Sequence, residues 1–178
     1  MSNYHRGSFW SFVGAFLGIA AVTALDRSAY FVDRGWGTMI GSFGASSVLI
    51  YGNLESPLSQ PINFVGGHTL SAIVGVTVQK FIIWITGATY PDLHEYDSLR
   101  WLGGALAVAL SVLVMQITRT THPPGRIPCF EPDFSETLNT YVVTPVMIGS
   151  GIMLAVAVTV ENIQRRYPVY WVWPARKP

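Results

Sequence analysis

Phe9–Leu25 reads FWSFVGAFLGIAAVTAL, seventeen residues without a charge. At a rise of about 1.5 Å per residue, a helix of this length just spans a hydrocarbon core of roughly 30 Å. The run has no polar face, as expected where every side meets lipid or another apolar helix. A secretory signal with Arg6 as its basic region is the rival reading. Against it stand the length of the run and Ala24-Leu25-Asp26, a poor cleavage site. Working outward, four more apolar runs follow: Trp36–Tyr51, Phe64–Thr86, Leu99–Thr118 and Tyr141–Val160. The pattern predicts an all-α polytopic membrane helix bundle. It has about five hydrophobic segments, near 9–25, 36–51, 64–86, 99–118 and 141–160, in a single domain over 1–178.

Composition agrees. Half of the 178 residues are hydrophobic and only 12% are charged, about half the charged share of a soluble domain. Mean hydropathy is +0.37. A formal net charge of +1 gives no basic surface for nucleic acid. The single cysteine, Cys129, cannot pair within the chain, and no Cys/His spacing for a metal is present. Several Trp and Tyr flank the runs (Trp10, Trp36, Tyr51, Tyr90, Trp101, Tyr141, Tyr170, Trp171), where aromatic belts lie.

The second run, WGTMIGSFGASSVLIY, is short and broken by glycines and hydroxyl residues. It reads as a tilted, broken or re-entrant segment, or as a helix whose small residues let neighbours approach. Pro57 and Pro61 stop helix propagation in the connector that follows. Lys80 lies about two turns from the end of the third run, within reach of the interface by snorkelling. The stretch from Gly87 to Ser98 is a solvated acidic loop. Counting cations over five alternating spans places Arg6, Arg119 and Arg126 on one side. Arg27, Arg34, Arg100, Arg165, Arg166, Arg176 and Lys177 fall on the other, which favours a cytoplasmic or matrix-like C-terminus.

No nucleophile-with-base pattern, zinc-protease motif, Walker loop or dinucleotide fingerprint occurs, so no enzyme is expected and no cofactor is implied. Three clusters carry candidate chemistry. Gly41–Ser47, with Ser42, Ser46 and Ser47, offers hydroxyl and backbone donors to a dehydrated anion, or merely packs closely. Asn63, His68 and Thr69, in a polar stretch that opens with Ser59 and Gln60, lie at the mouth of the third run, where polar groups must find partners. His122, in Thr121-His122-Pro123-Pro124-Gly125, ends the fourth run near the surface, as a titrating or anion-binding group or as a helix stop with an interfacial histidine. Gly14-x-x-x-Gly18 and Gly103-Gly104 are small-residue faces that serve either the fold or a homo-oligomer.

The stretches GSFGASSVLIYGNLESPLSQP (Gly41–Pro61), GGHTLSAIVGV (Gly66–Val76) and THPPG (Thr121–Gly125) resemble the HPP family of integral membrane proteins. The tail IQRRYPVYW (Ile163–Trp171) is similar to fungal members. The resemblance covers most of Gly35–Trp173 and implies a compact helical membrane domain. Plant members are associated with nitrite transport across the plastid envelope. The resemblance therefore implies a transporter or channel for a small inorganic anion, with the lipid bilayer as partner. The alternative is a non-transporting assembly subunit or an inactive relative. Two departures bear on that choice. Ile62 stands where the family usually has arginine, and Arg126–Asn139 is polar where the family is apolar.

Overall fold

A computed structural model describes residues 3–25, 27–28, 41–87, 94–123, 142–163 and 165–173. Five α-helices are described: α1 (Asn3–Leu25), α2 (Gly41–Ser47), α3 (Pro61–Thr86), α4 (His94–Thr118) and α5 (Gly149–Glu161). Wider π-helical turns extend α2 through Val48–Gly52 and precede α5 over Val142–Ile148. The predicted helix bundle is the observed fold. Among the described residues three stretches are long and apolar enough to cross a membrane: Gly7–Leu25 in α1, all of α3, and Trp101–Thr118 in α4. Pro145–Glu161 is a shorter apolar helix.

Local chemistry sets the helix ends. Pro61 opens α3 instead of ending a segment, because its missing N–H falls where a helix needs no partner. Gly87, at φ 64°, closes α3 in the left-handed conformation that glycine adopts freely. α4 starts five residues before Leu99, so the predicted acidic loop is shorter than expected. Pro145 lies in the π-helical stretch, where its missing N–H leaves one ladder bond unmade. The start of the second run (36–40) and the polar 126–139 segment lie outside the described residues.

α3 packs along α4, and α1 along α5; the turns around α2 and α5 join the two pairs. The main core draws Val22, Phe43, Tyr51, Phe64, Ala72, Met153 and Ala157 from four helices. Val78, Ile82 and Ala107 form a second core between α3 and α4, where Gly103 admits Ile82. Phe9, Phe12 and Phe16 face outward on α1, as Trp101, Val108, Val112 and Ile117 do on α4. These apolar faces suit lipid. Lys80 is exposed on α3, turned away from the core.

Two expectations are corrected. Tyr51 is no belt residue: it is fully buried, and its hydroxyl donates to the Met153 carbonyl at 2.9 Å. A Cβ at Gly14 would meet its ring at 2.7 Å, and one at Gly18 would run into its hydroxyl. The Gly14/Gly18 face is therefore filled from within the chain. The second correction concerns topology. Arg165 Nη2 donates to Ser11 Oγ at 2.8 Å and to the Gly7 carbonyl at 3.3 Å. The end of α5 thus meets the start of α1. Asn63 Nδ2 donates to the Thr121 carbonyl at 3.1 Å, joining the start of α3 to the end of α4. α4 and α5 both run toward this one end of the bundle, so strict alternation fails. Arg165 and Arg166 share an end with Arg119 and with the first turns of α1, not the opposite side. The connection from α4 to α5 lies outside the described residues.

Candidate functional site

Two histidines and a serine from three separate segments meet inside the bundle. Ser46 Oγ lies 2.8 Å from His68 Nε2 and 2.8 Å from His122 Nε2. His122 Nδ1 lies 2.8 Å from the Leu58 carbonyl oxygen. The chain brings them together by close backbone approach. Arg119, at φ 57°, ends α4 in the left-handed region and turns Thr120–His122 back across α3. A Cβ at Gly67 would lie 2.6 Å from His122 Cβ and 2.8 Å from the Thr120 carbonyl, so only glycine leaves this room. Asn63 then pins the returning strand through the Thr121 carbonyl.

A carbonyl only accepts, so Leu58 fixes a proton on His122 Nδ1. In the neutral imidazole, Nε2 is then bare and accepts from the Ser46 hydroxyl. The serine oxygen in turn accepts from His68 Nε2–H. Every bond is satisfied with both rings neutral, and the donors point one way from His68 to His122. The opposite sense needs a second proton on His122 and the His68 hydrogen on Nδ1: His122 Nε2–H would then donate to Ser46, whose hydroxyl would turn to the bare His68 Nε2. The arrangement is a short two-state proton wire.

The site is sealed. Ser46 and His122 are 0% exposed and His68 is 1% exposed. Phe64 stands edge-on to both imidazoles, 5.2 Å from each, and Phe43 closes the other side of His68 at 5.2 Å. Phe43 itself needs Gly149, where any Cβ would strike its ring.

The seven sequence candidates separate into three groups. Ser46, His68 and His122 meet, and Asn63 supports their geometry. Ser42 and Thr69, on the same two helices, hold buried hydroxyls with no hydrogen-bond partner among the described residues. Ser47 instead bonds the Gly44 carbonyl of its own helix at 2.7 Å. Among the described residues no group of three His, Cys, Asp or Glu side chains could hold a metal ion.

Further residues brace this end of the bundle, Gln60 among them from the polar stretch marked in the sequence at the mouth of the third run. Gln60 Nε2 donates to the Leu54 and Ser56 carbonyls at 2.8 and 3.0 Å. Its Oε1 accepts from the tail amides of Val169 and Tyr170 at 2.9 and 3.3 Å. The Tyr167 hydroxyl donates to the Ser59 carbonyl at 2.6 Å. Burial, and secondly the Glu161 carboxylate, push that phenol's pKa up, so it stays a donor at alkaline pH. Glu161, itself fully buried, pairs with Arg165 at 3.0 Å. Its signal was present in the sequence as an acid and a base four residues apart at the end of an apolar run.

The family model described as "HPP, transmembrane region" matches residues 2–168. Two transmembrane proteins of Dictyostelium discoideum are 36% and 35% identical over 168 residues, 91% of this chain. The matched region is 55% of the first relative and 50% of the second, so the chain spans about half their length. No solved structure matches.

Proposed function

The chain belongs to the HPP transmembrane family and is a multi-pass integral membrane protein, and from that premise we propose that it carries a small inorganic anion such as nitrite across its membrane. The observation that supports this reading is the sealed His68–Ser46–His122 wire. Polar side chains are costly inside a lipid-facing bundle, and intramembrane ionisable groups often mark ion or proton pathways. The wire offers a proton to accompany an anion. The hydroxyls of Ser42 and Thr69, without a hydrogen-bond partner among the described residues, offer donors on the same helices. In this reading the Phe43 and Phe64 rings must part to admit substrate, and no catalytic step is involved.

Uptake of nitrite into liposomes holding the purified full chain tests the proposal, with nitrate, chloride and empty liposomes as controls. Saturable uptake above the controls that rises with an inward proton gradient is expected, and His122→Ala should abolish the pH dependence. The second reading, a non-transporting assembly subunit or inactive relative, draws on Ile62, which supplies no cation at the mouth of α3. Absence of uptake by a well-folded preparation, together with a partner retained in mild detergent, would favour it.

A further inference from the structure

The end of the bundle where α1 begins and α5 ends holds a cleft that the wire does not use. Its volume is about 480 Å3, and Asn53, Glu55, Arg165, Arg166 and Val169 are among its lining residues. Gly52 also lines it, and a Cβ there would meet nothing within 4 Å. Arg165 is held in place: its Nη2 reaches Glu161, Ser11 and the carbonyls of Gly7 and Tyr51. Its Nε is nevertheless buried with no hydrogen-bond partner among the described residues. Arg166 is exposed beside it. The Arg165 side chain is 35% exposed, and a guanidinium presents its donors in a fork suited to phosphate oxygens. Val169, Trp171, Val172 and Trp173 follow directly, each more than half exposed. Such a ledge of Trp and Val at a helix-bundle end belongs at the membrane–water interface, where basic clefts between helices take phospholipid head groups.

We propose that this cleft binds a phosphate group, supplied by a phospholipid whose glycerol and upper acyl chains lie on the Val169–Trp173 ledge. Arg165 is the fixed, pre-positioned donor and Arg166 the exposed one. Glu55, on the wall of the same cleft, disfavours multiply charged anions and suits a single phosphodiester.

The test uses the full chain in detergent. Bound lipid is counted by native mass spectrometry, and the unfolding midpoint is followed while phosphatidylglycerol, uncharged diacylglycerol or inorganic phosphate is added. One retained phosphatidylglycerol and a raised midpoint are expected, with no effect from diacylglycerol. Arg166→Gln should weaken lipid binding about tenfold, as loss of one charged phosphate contact implies, and Arg166→Lys should restore much of it. Arg166 makes no ion pair among the described residues, so neither change threatens the fold. A shift with inorganic phosphate equal to that with lipid would keep the phosphate site but assign it to the free ion. Equal effects of diacylglycerol and phosphatidylglycerol, or wild-type binding by Arg166→Gln, would overturn the site.

Discussion

Ser46 is the only side chain that touches both imidazoles of the wire by a hydrogen bond among the described residues. Ser46→Ala would leave His122 Nε2 and His68 Nε2–H buried and unbridged. Each such loss costs about 1–3 kcal/mol, so the variant should unfold at a clearly lower temperature in detergent. Ser47→Ala removes only a bond within its own helix and should stay within about 0.5 kcal/mol of the parent. Thermal unfolding of the two variants side by side checks this; equal midpoints would mean that Ser46 carries no bridging load. Gly67→Ala attacks the same wire from the backbone. Its Cβ must displace the His122 strand, at about 1–3 kcal/mol. Hydroxyl and imidazole residues were legible as candidates because polar groups stand out in apolar runs. Their meeting was not legible, since Ser46 and His122 are 76 residues apart and no periodicity joins them. The need for glycine at position 67 follows from a contact with Thr120 and His122, visible only in three dimensions.

The helices were readable because lipid selects long apolar blocks, and the blocks at 9–25, 64–86 and 99–118 lie within α1, α3 and α4. The tail after α5 was not. It is held by single polar contacts to a distant turn, which leave no repeating pattern in the sequence. Gln60 is the central brace, with two bonds to the 54–56 turn and two to the tail. Leu58, whose carbonyl holds His122, lies in the Pro57–Ser59 turn that follows directly. Gln60→Ala should therefore release the tail and loosen the turn together. Amide hydrogen exchange at Val169 and Tyr170 should quicken markedly, and the His122 region should follow. Tyr167→Phe removes one bond to Ser59 and keeps the ring, so its effect should be smaller and confined to the tail. A tail that stays protected in Gln60→Ala would show that the buried Tyr167 ring alone anchors it.

At the scale of the whole molecule, the direction of the helices decides how the protein sits in its membrane. Five runs counted in alternation put the two chain ends on opposite faces. The Arg165 contacts with Gly7 and Ser11 put the start of α1 and the end of α5 together. The cation count changes accordingly. Arg6, Arg119, Arg165 and Arg166 belong to one end of the bundle, against Arg27, Lys80 and Arg100 toward the other, four to three within the described elements. Positive residues near helix ends are retained on the cytoplasmic or matrix-like side, so that side should hold both the first turn of α1 and the segment after α5. Cysteine scanning on a Cys129→Ser background can read this directly. An impermeant thiol reagent should reach Ser8→Cys and Arg166→Cys from the same face of sealed vesicles, and Arg27→Cys only from the opposite face. Labelling of positions 8 and 166 from opposite faces would break the antiparallel pairing of α1 with α5. It would also separate Arg165 from the Gly7 carbonyl and Ser11, contacts that only a shared face permits.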